Sequence, residues 1–405
     1  MRWAVFFFLL VATARADDFY LKDKDKVVFY GDSITDQRLY TAFVEAFVVT
    51  RCPERDVRFV HSGWGGDTVR GGGGGPIDRR LERDVLAHQP TVVTVMLGMN
   101  DASYRAFDEK VFGNYSDGYE HLVASLEKKL PGVRMTLIEP SPYDDVTRKP
   151  NFAGGYNDVL VKYGAFVREL AAKHKVDSAD LNASVVRALE KANEKDAARA
   201  QKLIPDRVHP GPAGHLLMAA ALLEAWKAPG LVSSVEIDGS RVVADGTTVA
   251  ATGTLSWTQT DHCLPAPIDA KDPLVALALE SSDVVATLDR ERLVVKNLEA
   301  PRYLLKIDGK RVASFSREEL AKGVDLALLP TPMLEQALEV AALLRKRSDV
   351  HNLRWRQVQI PLEGVHSEHL AKALAELDAL DDDLRKEARE AAKPRPRTWQ
   401  LVPLY

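Results

Sequence analysis

Residues 27–36 of the chain read Val27-Val28-Phe29-Tyr30-Gly31-Asp32-Ser33-Ile34-Thr35-Asp36. The first four residues are apolar or aromatic, which predicts a buried strand that ends at Gly31. Ser33 therefore follows the carboxyl end of a strand, the edge at which open α/β sheets bind their ligands. A serine hydroxyl is a weak nucleophile until a base takes its proton. The stretch indicates a catalytic serine, provided that the chain also supplies a base and oxyanion donors.

Strands and helices alternate around this stretch as far as residue 226. We predict strands at Val27–Tyr30, Val57–His61, Thr91–Leu97, Arg134–Glu139 and Val176–Leu181. We predict helices at Leu39–Thr50, Ile77–His88, Ser116–Leu130, Asn157–Lys173, Ser184–Lys202 and Gly214–Trp226. Strands separated by helices form a parallel sheet that is covered on both faces. The predicted fold class is α/β, a three-layer α/β/α domain with a central parallel five-stranded sheet.

The pattern changes after Pro229-Gly230. Short strands are predicted at Ser234–Ile237, Arg241–Val243, Val284–Leu288, Leu293–Val295 and Tyr303–Ile307, with helices at Met333–Arg347 and Ser367–Ala392. Asp-Gly pairs between apolar runs favour hairpins. Residues 231–405 are thus expected to be a β-rich and then helical accessory region. Since no Gly/Ser- or Pro-rich tether precedes it, we expect it to pack on the α/β domain.

The amino terminus has the pattern of a secretory signal peptide. Arg2 precedes an apolar run from Trp3 to Ala12, and Ala14-Arg15-Ala16 is a cleavage sequence. The run is shorter than the roughly 20 residues needed to span a bilayer. We expect a signal peptide at residues 1–16 that is cleaved after Ala16, so that the hydrolase-like domain spans residues 17–230. The protein is then expected to be secreted or periplasmic, with no stable membrane insertion after cleavage.

Composition excludes some partners. The net charge is −4 and the basic residues are scattered among acids, which argues against a nucleic-acid partner. The two cysteines, Cys52 and Cys263, either pair or remain separate thiols, and two alone do not decide between these. Asp261-His262-Cys263 offers too few ligands for a metal site. We expect neither a metal nor a cofactor.

The chain supplies a base in Asp206-Arg207-Val208-His209, within a loop bounded by proline and glycine. An aspartate three residues before a histidine can reach its Nδ1 and fix the tautomer in which Nε2 faces a serine. His215, inside the following helix, is expected to be a surface or packing residue.

Two further segments offer oxyanion donors. Asn100 follows the predicted strand Thr91–Leu97, where its amide can donate to a developing alkoxide, although a turn or helix cap would also favour asparagine there. Gly66 follows the second strand, and its N–H can approach a substrate without hindrance from a Cβ. Gly63 is the alternative, since either glycine can serve a turn.

Four segments together, from Lys26 to Trp226, resemble the SGNH, or GDSL-type, hydrolase family. They are Gly31-Asp32-Ser33-Ile34, Gly66-Asp67-Thr68, Gly98-Met99-Asn100-Asp101 and Asp206-Arg207-Val208-His209. The sequence departs from the family pattern at Ile34, where many members have leucine, and at His61, where many have asparagine. The resemblance does not extend to residues 231–405.

The resemblance implies an SGNH/flavodoxin-like fold. It implies Ser33 as nucleophile, His209 as base and Asp206 as its orienter, with the oxyanion held by the Ser33 and Gly66 amides and the Asn100 side chain. Competing motifs are missing from the sequence: the serine is not in G-x-S-x-G, and the glycine run 71–75 is not followed by Gly-Lys-Ser/Thr.

We therefore expect an exported serine esterase that forms an acyl-enzyme on Ser33. A small-molecule or polysaccharide ester with a short acyl group is the expected substrate, with acetyl on a carbohydrate as the first choice. Trp64 and Tyr143 are candidate stacking faces for sugars, and Asp32 and Asp101 are further candidate substrate-binding residues. The alternatives are a lysophospholipase- or thioesterase-type acylhydrolase, an O-acyltransferase with the same triad, and a non-catalytic glycan-binding protein on a hydrolase fold.

Overall fold

A computed structural model describes residues 18–253 and 255–405, so the predicted signal peptide and its cleavage site lie outside the described residues. The first half contains, in chain order, β1 (Lys26–Gly31), α1 (Ser33–Asp36), α2 (Leu39–Arg51), β2 (Arg58–Gly63), β3 (Gly71–Gly72), β4 (Gly75–Pro76), α3 (Ile77–Asp84), β5 (Val92–Met96), α4 (Glu109–Lys129), β6 (Arg134–Ile138), α5 (Gly155–His174), β7 (Asp177–Ala179), α6 (Leu181–Lys195), α7 (Ala197–Ala200) and α8 (Pro212–Ala225).

Five of these strands form one parallel sheet in the order β2-β1-β5-β6-β7. All five residues of β5, the central strand, are buried, as a continuous apolar run predicts for a strand covered on both faces. The prediction of a three-layer α/β fold on a five-stranded parallel sheet is confirmed. Such a sheet brings the carboxyl ends of its strands to one edge.

The second half contains β8 (Leu231–Asp238), β9 (Arg241–Asp245), β10 (Thr247–Gly253), β11 (Ser256–Asp261), α9 (Pro273–Glu280), α10 (Val284–Leu288), β12 (Arg290–Lys296), β13 (Arg302–Ile307), β14 (Lys310–Ser316), α11 (Arg317–Lys322), β15 (Val324–Asp325), α12 (Pro332–Asn352), α13 (Glu368–Ala391) and β16 (Arg397–Leu404). Two sheets result, with the orders β10-β11-β16-β13-β14 and β15-β12-β8-β9. The β-rich and then helical pattern is as predicted, although the last strand returns to the first of these sheets.

Two sequence predictions fail locally. Residues 284–288, predicted as a strand, form helix α10, whose ends Val284 and Leu288 are buried in the main core. A short apolar run does not by itself distinguish a strand from a buried helix. The predicted helix Ser184–Lys202 is two helices, because Asp196 ends α6 and caps α7 by accepting from the Arg199 amide.

The accessory region packs directly on the α/β domain. Core residues from α9 and α10 belong to the same buried cluster as the parallel sheet. A separate cluster joins Ala46 and Val49 of α2 to Val340 and Leu344 of α12 and to alanines of α13. The segment from Leu353 to Gln359 continues α12 as a π-helical turn. The accessory region therefore lies close enough to the α/β domain to contribute to its site.

Both cysteines are buried free thiols, so the alternative of separate thiols is the one that the structure shows.

Candidate active site

Ser33, Asn100 and the Gly63–Gly66 turn all lie where strands of the parallel sheet end. Ser33 opens α1 directly after β1, Gly63 ends β2, and Asn100 follows β5. Since β1 lies between β2 and β5, these segments are neighbours at the carboxyl edge. Gly31 and Gly63 allow α1 to approach the sheet closely, because a Cβ on Gly63 would collide with the backbone of Thr35 and Asp36.

The structure brings Ser33, His209 and Asp206 into one chain of hydrogen bonds. Ser33 Oγ lies 2.8 Å from His209 Nε2, and His209 Nδ1 lies 2.7 Å from Asp206 Oδ2. When Nδ1 carries the proton and donates it to the carboxylate, Nε2 accepts from the serine hydroxyl. This arrangement has the geometry of a nucleophile, a base and an orienting acid.

Local hydrogen bonds hold the Asp206 carboxylate in place. Its Oδ1 accepts from the amides of Val208 and His209 at 2.9 and 2.7 Å. Burial alone would raise the pKa of Asp206, but the bonds from His209 and Val208 outweigh burial and lower that pKa below its usual value. Arg148 fixes the preceding residues by donating to the carbonyls of Ile204 and Pro205. The carboxylate is thus kept ionised beside the imidazole.

The two candidate oxyanion glycines have different roles in the fold. Gly63 is required by the close approach of α1 described above. Gly66 has φ +77° and open space where a Cβ would be, so its backbone faces outward in the left-handed region. Among the described residues, none accepts a hydrogen bond from the Ser33 or Gly66 amide. Of the two glycines, Gly66 is the one that can present its N–H to a ligand.

Asn100 is held at both ends of its side-chain amide. Its Nδ2 donates to the Asp67 carbonyl at 2.9 Å, and its Oδ1 accepts from the Tyr104 hydroxyl at 3.1 Å. These bonds leave one N–H of the amide available. Tyr104 is 46% exposed, has φ +54° and stacks on Tyr156 at 5.0 Å. Tyr104 was not among the predicted site residues, and the available signal for it was its position four residues after Asn100.

Asp32 and Asp101 were predicted as possible substrate-binding residues. Asp32 is buried and Asp101 is half-buried, and neither lines the cleft beside Ser33. Asp32 is 2% exposed and caps α1 by accepting from the Ile34 amide at 3.0 Å. Asp101 accepts from the Val69 amide at 2.9 Å. Burial raises the pKa of each carboxyl to about 7, with nearby acids adding to the effect. We correct the prediction, because short acidic side chains after strands are taken up by the turns that follow them.

The two predicted stacking faces are also corrected. Tyr143 is 7% exposed and packs against Tyr104 and Tyr156. Trp64 is partly exposed, but Arg356 of the accessory region lies 3.5 Å above its ring. Tyr143 therefore offers no free ring face to a sugar, and Arg356 occupies one face of Trp64.

Arg356 links the accessory region to the active-site rim. Besides covering Trp64, it lies 3.6 Å from Asp36 Oδ1, and Asp36 Oδ2 accepts from the Gly65 amide at 3.2 Å. Gly65 immediately precedes Gly66, so the accessory region supports the turn that presents the candidate oxyanion amide. Sequence reasoning missed this contact because Arg356 lies far along the chain from both partners.

His215 was predicted to be either a surface residue or a packing residue, and the structure shows it buried. Its Nδ1 accepts from the Tyr40 amide at 3.2 Å, and its Nε2 lies 2.6 Å from Gln37 Oε1. Burial, with the nearby His209 adding to it, lowers the pKa of His215 to about 3, so the ring stays neutral. It therefore fixes Gln37 at the wall of the cleft.

An open cleft of about 580 Å³ surrounds the triad. Its walls are Ser33, Asp36, Gln37, Leu39, Pro205, Asp206, His209, Pro210, Gly211 and Pro212. Among residues 18–253 and 255–405, no group of three or more His, Cys, Asp or Glu side chains is arranged to hold a metal ion. The cleft presents a nucleophile and a base to a ligand that enters from solvent.

Comparisons with known proteins agree with this arrangement. Residues 29–217 match the sequence model of the GDSL-like Lipase/Acylhydrolase family. The chain is 28% identical to an acetylxylan esterase from Geobacillus stearothermophilus over 217 residues, which are 49% of this chain and 92% of that protein. The crystal structure of an acetylxylan esterase from this organism covers 52% of the chain and is itself covered to 97%, with 25% identity and a TM-score of 0.43.

A gut microbial diltiazem-metabolizing enzyme is similar over both halves of the chain. Its structure covers 96% of this chain and is itself covered completely, with 25% identity and a TM-score of 0.82. The arrangement of α/β domain and accessory region is therefore shared with a protein of known structure.

Proposed function

We propose that this chain removes short acyl groups, acetyl above all, from the hydroxyl groups of carbohydrates. Its residues 29–217 belong to the SGNH (GDSL-type) hydrolase family, and it is thus an ester-hydrolysing serine hydrolase. The observation that carries the proposal is the hydrogen-bonded series Ser33–His209–Asp206 at the strand ends.

In the proposed mechanism, Ser33 Oγ attacks the ester carbonyl carbon while His209 Nε2 takes the serine proton. The carbonyl oxygen becomes an oxyanion, which accepts from the Ser33 and Gly66 amides and from Asn100 Nδ2. The carbon–oxygen bond to the alcohol then breaks, and His209 returns the proton to the departing alcohol oxygen. Asp206 keeps the imidazolium oriented throughout. Water, deprotonated by His209, releases the acid from Ser33 in the same way.

The preference for a polar alcohol is supported by the cleft. It is wide and has the polar walls Asp36, Gln37 and Asp206, which suit a hydroxyl-rich alcohol. A relative that matches the α/β domain over nearly its whole length is named an acetylxylan esterase. Since Trp64 and Tyr143 are covered, hydrogen bonds to these polar walls would replace sugar stacking.

Export is part of the proposal and is supported by the sequence of residues 2–16. No helix within residues 18–253 and 255–405 has the length and apolar character needed to cross a membrane. Amino-terminal sequencing of the protein recovered from outside the cytoplasm tests this point, and retention of Met1 on that material would contradict it.

The central test is hydrolysis by wild type, three triad variants and one control variant. Ser33→Ala and His209→Ala should lower kcat by orders of magnitude, by comparison with about 10⁶ in a well-studied serine protease. Asp206→Asn should be milder, because it disturbs orientation and leaves the base. Ser314→Ala, at an exposed serine of β14, is the control and should match wild type.

The substrates should separate the possible functions. Acetylated xylan and propyl acetate should be hydrolysed faster than a lysophospholipid, an acyl-CoA or an octanoyl ester, and diltiazem is added because a structural relative metabolises it. Acyl transfer to an added sugar at the expense of hydrolysis would favour an acyltransferase. Ser33→Ala with more than a tenth of wild-type activity, or no labelling of Ser33 by a fluorophosphonate, would refute the mechanism.

A further inference from the structure

A second cavity, which we call the apolar groove, adjoins the catalytic cleft. It has a volume of about 330 Å³ and lies between α2, α8, α12 and the Pro267–Ile268 segment. Its walls are mostly apolar, and include Ala42, Phe43, Leu216 and Leu338. A cavity of this size lies at the lower end of the range for small-molecule sites. The groove is large enough for a single aromatic or alicyclic ring system.

The apolar groove shares part of its wall with the catalytic cleft. Leu39 and Pro212 line both cavities. They begin α2 and α8, and the groove follows these helices away from Ser33, along Ala42 and Ala46 on α2. A ligand bound at Ser33 can therefore extend past Leu39 and Pro212 towards the groove.

The position of the groove decides which part of an ester can enter it. Of the two shared wall residues, Leu39 begins α2 and Pro212 directly follows the loop that carries His209, whereas Gly66 and Asn100 do not line this cleft. His209 must reach the oxygen of the departing alcohol to return the proton. The alcohol portion of the ester therefore lies on the His209 side, which is the side on which the groove opens.

We propose that the apolar groove binds an aromatic or alicyclic ring on the alcohol portion of the substrate, so that the preferred substrates are acetyl esters of ring-bearing alcohols, acetylated glycosides with such a group included. This inference rests on the proposed function, since it needs the ester carbonyl at Ser33. The groove is also lined by three exposed charged residues, Arg345, Asp269 and Asp272. They would place polar groups beside the solvent-facing edge of a bound ring. The groove exists only because α12 docks on α2 and supplies its outer wall.

The test compares two acetyl esters whose alcohols have similar acidity, 2-(2-naphthyl)ethyl acetate and propyl acetate. Wild type should show a kcat/KM at least tenfold higher for the naphthyl ester. Ala342→Trp, at an exposed position on the groove wall, and Ala42→Phe, from the opposite wall, should each bring the ratio close to one. The ratio is the readout, because a general loss of activity cancels in it. Ala371→Trp, an exposed alanine on α13 outside the groove, should keep the wild-type ratio.

The outcomes are distinguishable. Hydrolysis of propyl acetate without a naphthyl preference would overturn the groove proposal and leave the esterase function standing. A preference that both groove variants retain would overturn it as well. If Ala342→Trp and Ala42→Phe instead reduced selectivity among acyl chains, the groove would be an acyl site and the proposal would be wrong. Failure to hydrolyse either ester, with Ser33 unlabelled by a fluorophosphonate, would refute the proposed function itself.

Discussion

Arg347 offers the sharpest test of how the accessory region is attached. It lies on α12 and is only 4% exposed, and its guanidinium contacts the carboxylate of Glu45 on α2, which is 2% exposed. It also reaches Asp381 Oδ2 at 3.1 Å and donates to the Phe59 carbonyl. Burial alone would raise the pKa of Glu45, but Arg347 and His61 outweigh it and hold that pKa below its usual value.

Arg347→Met should destabilise the protein by about 3–5 kcal/mol, because it leaves a buried carboxylate without its cation. With an unfolding entropy of about 2.1 cal/mol/K per residue, a loss of about 4 kcal/mol in a 405-residue chain corresponds to a fall in Tm of about 5 °C. Urea unfolding followed by tryptophan fluorescence, together with calorimetry, measures both quantities. Lys346→Ala, at the exposed neighbouring position, is the control and should change stability by less than about 0.5 kcal/mol.

Adding Glu45→Gln to Arg347→Met provides a second check. The double variant should be less destabilised than the sum of the two single variants, because no unpaired carboxylate remains at position 45. A loss below 1 kcal/mol in Arg347→Met, or additive effects in the double variant, would show that this ion pair does not hold the two parts together.

Three further predictions concern the site rim, a buried acid and the accessory region. Arg356→Ala should lower kcat about tenfold with little change in KM, because Trp64 and the turn that presents Gly66 lose their contacts with the accessory region. This effect is smaller than the 10²–10³ typical of losing an oxyanion donor. Unchanged steady-state kinetics would refute the prediction. The pKa of Asp101 is raised to about 7, so its destabilising contribution is absent below about pH 4, grows as the pH rises to about 7 and is complete above that pH. Asp101→Asn should therefore gain stability relative to wild type at pH 8 but not at pH 4, and an equal difference at both values in urea unfolding would contradict it. Truncation after Gly230 should give poorly soluble protein that binds a hydrophobic dye, because it uncovers apolar surface of the main core; a soluble truncated protein with an unchanged Tm would count against this.

The sequence alone determined the α/β architecture and the residues that meet in the triad. Strand and helix periods are local patterns, and a parallel sheet brings whatever follows its strands to one edge. For this reason Ser33 and Asn100 could be assigned to a common site before any distance was known. The short segment from Asp206 to His209 is local as well, so its internal geometry was readable from spacing.

Only the tertiary structure decided which polar and aromatic residues face the substrate. Asp32 and Tyr143 looked available in the sequence, but packing buries them, and burial depends on contacts between distant segments. The five-residue run at Val284–Leu288 became a helix because α8 offered it an apolar surface, which no local pattern reports. Likewise, the cover on Trp64 and the outer wall of the apolar groove come from α12 and the turn after it, roughly three hundred residues beyond the first strand. The catalytic residues could be identified from local sequence patterns, whereas the surfaces that surround them depend in part on how the second half of the chain packs on the first.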